Sequence, residues 1–310
     1  MNNIKEKRVL GNTNIEVSPL CFGCASAYAR DLISDDKAVG LFKTAYDLGI
    51  NFFDTGHSYG RAEERIGLSL KQIPYIKRED VIISTKFGTR VGGENGHFHD
   101  VSTDWIKKSV ELSLNRMGID YIDVLYLHNT QDEDLHNEEM FNCLDDLKRQ
   151  GIIKATGSNT FHSNQIQEIS DNRLFDIVML DYNIVKKDRE PLIESLYNNG
   201  IGVVAGQALA EGVFLNEIYK VREIKDLWYL ARTFGRKSSR KLFFDSRRYK
   251  FLNKLKDNLD GSQVALKYVV DNKYVASASF GTCSFDHLKK NVETLDLDVP
   301  KDIYDKIKKL

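Results

Sequence analysis

Four ionisable side chains stand where short apolar runs stop: Asp54 and Tyr59 in NFFDTGHSYG, Lys86 in VIISTKFG and His128 in VLYLHN. A carboxylate, a phenol, an ammonium and an imidazole gathered in one place make a proton-transfer centre. An isolated tyrosine has a pKa of about 10 and is a weak proton donor at neutral pH. A neighbouring ammonium favours the phenolate and lowers that value. Lys86 beside Tyr59 would do this, and Asp54 would hold Lys86 charged and in place. His128 would donate a second hydrogen bond to a substrate oxygen. Such a centre protonates a carbonyl oxygen, or deprotonates an alcohol, while another agent moves a hydride. No side chain supplies a hydride, so a nicotinamide or flavin is required. Taken singly, a strand-end Asp, Lys or His more often caps a helix or pairs as an ion. Four of them at successive strand ends argue for chemistry.

The elements that must position them alternate along the chain. KRVLGNTNIEVS reads as a β-hairpin around a Gly-Asn-Thr-Asn turn. Strands are then expected at 19–23, 50–55, 80–86, 123–128, 152–157, 176–182, 202–206 and 274–281, each followed by a helical pattern. Ser102 in STDW reads as a helix N-cap. Strand–helix alternation implies parallel strands with crossover helices. Eight such units without a composition break favour a closed (β/α)8 TIM barrel in the α/β class, as a single domain over 1–310. Chemistry in such barrels sits at the carboxyl ends of the strands. Strand-end position alone makes Tyr28, Phe87 and Asn129 candidate pocket walls. His57, between Asp54 and Tyr59, is expected to face substrate rather than brace its loop. The longest loops, 87–101 and 207–260, are the expected lids.

Bulk composition sets limits. The chain has 310 residues, 42% of them apolar and 29% charged, with a formal net charge of −1. A near-neutral balance gives no global electrostatic case for nucleic acid or an anionic membrane. The start has no apolar signal-like run, and no run approaches the roughly 18 residues needed to span a bilayer. Four cysteines in so long a chain are too few for a disulfide framework, which favours a cytoplasmic setting. Cys21 and Cys24 form a C-x-x-C without a second pair, and read as two small strand residues rather than a zinc or redox site. His97-x-His99-Asp100 sits in a Gly-rich loop, and no metal is expected there. Trp105 and Trp228 read as core or lid packing.

The sequence resembles the aldo-keto reductase superfamily along nearly its whole length. The matching segments are RVLGNTNIEVSPLCFG, NFFDTGHSYG, ISTKFG, DVLYLHN, GIIKATGSN and GTCSFDHLKKN. The family's Asp, Tyr, Lys and His tetrad maps onto Asp54, Tyr59, Lys86 and His128. The resemblance implies a barrel plugged by the hairpin, a monomer, and an extended NADP(H), or NAD(H), across the mouth without a Rossmann fingerprint. GIGVVAG (200–206) is only a decoy, because its glycines precede and occupy a strand. By the resemblance, Ser158 and Asn159 hold the carboxamide, with Gly23, Cys24 and Asp54 nearby. Gly206, Gln207, Ala208, Leu209 and Ala210, through Gly212, run under the pyrophosphate. Gly281, Thr282, Cys283, Ser284, His287 and Asn291 hold the adenosine end, where a helix N-terminus faces phosphate.

Three departures from the family pattern stand out. Met179 stands where Gln often completes the carboxamide clamp. Gly206 stands where an aromatic often stacks. Gly281, Cys283 and His287 stand where a Lys or Arg usually meets the 2′-phosphate. The first two imply looser or altered nicotinamide packing, and the third weakens the default of NADP over NAD. The basic stretch 235–256 reads as an amphipathic lid with Leu242, Phe243, Tyr249, Phe251, Leu252 and Leu255 turned inward. A phosphate clamp and a nucleic-acid surface are its alternatives. The resulting expectation is a reductase acting on a small polar or sugar-like carbonyl. A cofactor-binding regulatory subunit and a redox-neutral lyase or epimerase are the rivals.

Overall fold

Eight of the apolar runs are strands of one parallel barrel in the computed structural model, which describes residues 4, 6–92, 96–210, 235, 237–255 and 259–310. Ahead of the barrel, β1 (Arg8–Val9) and β2 (Glu16–Val17) pair antiparallel as the expected hairpin. The barrel strands are β3 (Leu20–Gly23), β4 (Phe52–Asp54), β5 (Ile82–Val91), β7 (Ile122–His128), β8 (Ile153–Asn159), β9 (Ile177–Asp181), β10 (Gly202–Gly206) and β11 (Ser277–Phe280). Each pairs in parallel with its neighbour in chain order, and β11 returns to β3, which closes the ring. The sequence-based expectation of a (β/α)8 TIM barrel with an N-terminal hairpin holds.

The crossover helices are α1 (Asp35–Asp47), α2 (Ala62–Gln72), α3 (Thr103–Met117), α4 (Glu138–Arg149), α5 (Ser163–Asn172) and α6 (Glu190–Asn198). After them come α7 (Lys237–Ser246), α8 (Gly261–Val270), α9 (Phe285–Glu293) and α10 (Lys301–Lys309). Several starts carry the side-chain caps that local sequence dictates. Ser34, Ser102, Asn137 and Ser284 each accept a hydrogen bond from the backbone N–H three residues on.

Parallel strands between helices and a filled lumen are buried on both faces, so their apolar runs are nearly continuous. The alternation within them still decides direction. Phe52, Val124, Tyr126 and Met179 point into the lumen, while Phe53, Leu125, Leu127 and Leu180 pack against the helices. The hairpin closes the lower end. Leu10 and Val17 are fully buried in the same cluster as the lumen residues. Gly11 makes this approach possible: a Cβ there would sit 2.4 Å from the Gly202 amide nitrogen, and its φ is +55°.

Two features differ from the sequence-based expectation. β5 does not stop at Lys86; it runs on to Val91 and folds back on β6 (His97–Asp100) as an antiparallel hairpin over the mouth. Part of the 207–260 loop is also ordered, as α7 and the 3-10 turn Arg247–Lys254. There Leu242, Phe243, Tyr249 and Leu252 are buried, whereas Arg240, Lys241, Arg247, Arg248, Lys250 and Lys254 are exposed. That is the expected amphipathic arrangement. Gly212 and Trp228 lie outside the described residues. Among the described residues no helix is long and apolar enough to cross a membrane.

Candidate active site

Period-two alternation explains why three of the four ionisable groups meet. Asp54 shares the lumen face with Phe52, Lys86 with Ser84, and His128 with Tyr126. Asp54 and His128 end their strands, and Lys86 is the last lumen-facing residue of the part of β5 that pairs within the parallel barrel. Tyr59 arrives from the loop between β4 and α2. Its ring lies edge-on to the His128 imidazole, with centroids 5.5 Å apart. The Tyr59 hydroxyl is 3.5 Å from His128 Nε2.

Behind this pair lies a buried ion pair. Lys86 Nζ donates to both Asp54 carboxylate oxygens at 2.7 Å and to the Thr55 carbonyl. Ser84 donates to the same carboxylate at 2.7 Å. The ammonium sits 4.8 Å from the centre of the Tyr59 ring. Burial is the largest influence on Lys86 and acts to discharge it. The combined pull of Asp54 and Tyr59 outweighs burial and raises its pKa, so the ammonium is retained.

Burial also dominates Tyr59 and lifts its pKa above the ordinary tyrosine value. Lys86 acts against that lift, and Asp54 adds to it. Lys86 does pull the value down, as expected, but burial outweighs that pull and the net shift is upward. Tyr59 is a phenol at neutral pH. The His128 pKa falls to about 3, first through burial and then through the charge of Lys86, with smaller contributions from His97 and His99. Its imidazole is neutral at neutral pH, and Thr89 Oγ1 contacts its Nδ1 at 3.1 Å.

Three expected pocket residues lie elsewhere. Tyr28 is 1% exposed and packs edge-on to Phe22 in the helix-side layer. Phe87 follows a lumen-facing residue and therefore points outward, where it is buried. His57 turns toward the helices. Arg116 on α3 donates to its carbonyl at 3.2 Å and approaches its Nδ1 at 3.3 Å, and Trp105 meets its ring edge-on. Arg116 is itself paired with the buried Glu63 at 3.0 Å. Asn129 does lie at the rim, exposed, with a left-handed φ of 55°.

The remaining expected residues that are described lie at or after the carboxyl ends of β3, β8, β10 and β11. Ser158 is fully buried and its hydroxyl lies 2.8 Å from that of Thr130. The Asn159 amide donates to the Met179 carbonyl at 3.3 Å. The two departures at Met179 and Gly206 are neighbours: a Cβ on Gly206 would lie 3.4 Å from Met179 Cγ. Gln207 and Ala210 adopt left-handed backbone, and the Ala210 amide closes a turn on the Gln207 carbonyl at 2.8 Å. Gln207 is exposed, Leu209 half-buried and Ala208 buried. Gly23 lies beside Gly281, whose Cβ would stand 3.1 Å from the Gly23 carbonyl. Cys24 is buried, and burial raises its thiol pKa well above the usual value. At the start of α9, Thr282 Oγ1 accepts from the Ser284 amide at 3.1 Å, and Ser284 Oγ accepts from the His287 amide at 3.3 Å. His287 is exposed and Asn291 buried. None of the four cysteines, Cys283 included, is in a disulfide.

Sequence reasoning missed Ser84 and Thr89. The same alternation that aims Lys86 inward would have found Ser84. Thr89 lies beyond Gly88 in a stretch read as loop, and no local signal marks it. Two surface concavities, of about 450 and 1030 Å³, lie at the opposite end of the barrel. Their walls include Arg8 and Asp271 in one, and Asn12 and Glu79 in the other. Neither contains a member of the tetrad.

Known proteins share the family and the fold. A family model described as the aldo/keto reductase family matches residues 19–310. The uncharacterized oxidoreductase YqkF of Bacillus subtilis is 28% identical over 292 residues, covering 93% of this chain and 90% of its own length. L-galactose dehydrogenase of Arabidopsis thaliana is 27% identical over 300 residues, covering 93% and 87%. Among solved structures, the holo form of aldo-keto reductase AKR11C1 from Bacillus halodurans superposes with a TM-score of 0.79 at 27% identity, over 98% of this chain and 95% of that one. The chain therefore belongs to the aldo/keto reductase family of oxidoreductases.

Proposed function

We propose that this chain reduces the carbonyl of a small polar or sugar-like substrate, or oxidises the matching alcohol, with NADP(H) and alternatively NAD(H) as cofactor. The observation that carries the reading is the convergence of the Tyr59 hydroxyl and His128 Nε2, 3.5 Å apart at the strand ends, in front of the buried Lys86–Asp54 pair. A bound nicotinamide supplies or accepts the hydride.

The rim suits such a dinucleotide. Asn159 offers an amide beside the tetrad. Gly206 and Gly281 present bare backbone where a side chain would intrude. α9 begins with two hydroxyls and a helix N-terminus, a favourable seat for phosphate. His287 is the exposed base on that first turn.

The chain's own residues then act on protons and charge. Tyr59, held as a phenol, gives its proton to the carbonyl oxygen as negative charge develops there. His128, neutral, donates a second hydrogen bond to the same oxygen. Lys86 stands close enough to steady the phenolate that remains, and Asp54 keeps Lys86 oriented. Two fixed donors aimed at a developing oxyanion are a large source of rate in a site shielded from water. Polar groups at the rim, Asn129, His97 and His99, support a hydroxylated substrate, as does the likeness to L-galactose dehydrogenase. In this reading the chain works as one domain, as a monomer.

The test is a fluorescence titration with NADPH and NADH, followed by a carbonyl and sugar panel with the tighter one. The expected result is saturable binding and oxidation of the reduced cofactor by at least one hydroxylated carbonyl. Binding without turnover on any carbonyl or alcohol would reject the reading.

A further inference from the structure

His128 is a neutral imidazole with one N–H, and which nitrogen carries it decides what the residue can do. If Nδ1 holds the proton, Nε2 is an acceptor. It then takes a hydrogen bond from Tyr59 and draws that proton away from substrate. If Nε2 holds the proton, Tyr59 and His128 are two donors facing the same point. The partner of Nδ1 makes the choice, and that partner is Thr89 at 3.1 Å. Among the described residues the Thr89 hydroxyl has no other side-chain hydrogen-bond partner, so Nδ1 is the group within reach of its proton.

Thr89 is held by more than its own strand. It lies on the part of β5 that has left the barrel, and it stands directly opposite His99 on β6. Cross-strand partners in an antiparallel ladder share a face. His99 Nε2 is 2.9 Å from Asp134 Oδ1, and the other Asp134 oxygen accepts from the Gln131 amide at 2.7 Å. Asp134 is 3% exposed. Gln131 follows His128 by three residues, so the contacts form a closed circuit from His128 through Thr89, His99 and Asp134 back to the loop after His128.

We propose that Thr89 is a positioning residue that donates to His128 Nδ1 and so fixes the Nε2–H tautomer, and that the β5–β6 hairpin, pinned through His99 and Asp134, holds Thr89 in register. The inference rests on the carbonyl-reduction reading of the site for its purpose, but the tautomer is a property of the chain alone.

The experiment is long-range ¹H–¹⁵N correlation of the histidine side chains in uniformly labelled protein without cofactor. His128 is assigned by the signal missing from His128→Gln. The wild type is expected to show an unprotonated Nδ1 and a protonated Nε2. Thr89→Val keeps the shape and removes the hydroxyl; it should admit a measurable Nδ1–H population, and Thr89→Ser should restore the wild-type pattern. In the same variants kcat for carbonyl reduction should fall about tenfold in Thr89→Val, with KM little changed, and recover in Thr89→Ser. A wild-type His128 protonated at Nδ1 overturns the proposal, whether or not Thr89→Val folds. So does an unchanged tautomer in a folded Thr89→Val, or a shifted tautomer with full kcat. A wild type that binds cofactor but reduces nothing rejects the reductase reading, while the spectra still decide the tautomer.

Discussion

Lys86 Nζ lies 2.7 Å from both carboxylate oxygens of Asp54, with the two side chains 1% and 8% exposed. A charge pair this deeply enclosed is held by mutual necessity, because each ion alone is costly to bury. Lys86→Met should therefore destabilise the fold by about 3–5 kcal/mol by leaving Asp54 without its counter-ion. Lys86→Met combined with Asp54→Asn should cost less than the two single changes added together. Urea unfolding of the four proteins measures this, and strict additivity would show that the two groups are not coupled.

Tyr59→Phe removes the hydroxyl and leaves the ring in contact with His128. Reduction should fall by about 10²–10⁴-fold, the usual share of a general acid. Cofactor affinity in a fluorescence titration should stay within a factor of two or so of wild type. Because burial lifts the Tyr59 pKa above the ordinary tyrosine value, kcat/KM for reduction should not decline between neutrality and about pH 10 through loss of this proton. A decline centred near pH 7–8, absent from the substrate's own titration, would argue for a different donor.

His128 links the site to acid stability. Its pKa is about 3 in the fold against 6.5 unfolded, so the unfolded chain binds the proton more readily between these values. Stability from keeping this imidazole neutral is present above pH 6.5 and lost as pH falls toward 3. At pH 4 the loss from this group is about 3 kcal/mol. His128→Gln should lack it. The difference in unfolding free energy between variant and wild type should move toward the variant by that amount from pH 7 to pH 4.

Arg65 fastens the segment after the first barrel strand. It is 1% exposed, donates to the carbonyls of Tyr28, Arg30 and Ile33, and pairs with Asp35 at 2.9 Å. Arg65→Met should cost about 3–5 kcal/mol, since several buried acceptors lose their donor at once. Arg65→Lys should recover only part, because one ammonium cannot reproduce the planar fork. Hydrogen exchange in residues 26–33 should quicken in both.

The strands and the tetrad were legible because they are local. Each strand is a short apolar run, and the last lumen-facing residue of a run is fixed by counting in twos. The helix starts at Ser102 and Ser284 carry their own caps. The misplacements come from contacts that no local pattern contains. His57 is turned by Arg116, 59 residues away in sequence. Tyr28 follows a residue with left-handed backbone two positions earlier, Ser26 at φ 55°, which redirects the chain into the helix layer. The β5–β6 hairpin escaped notice because His97–Asp100 is short, mostly polar and preceded by a glycine-rich stretch, and only its pairing with Gly88–Val91 makes it a strand. The rim proposed for a cofactor rests on family resemblance alone, since bare backbone at Gly206 and Gly281 leaves no chemical signature.

The plug formed by Leu10 and Val17 has a kinetic corollary. Leu10 and Val17 fill the lower end of the lumen, so on the proposed reading the proton that Tyr59 gives up would be replaced from the mouth, where substrate and cofactor would also arrive. Refilling of the acid and exchange of ligands then share one doorway. Under steady turnover a slowly leaving product would delay not only the next substrate but also the recharging of the phenol. A solvent isotope effect that grows with product concentration would be the sign of that shared traffic.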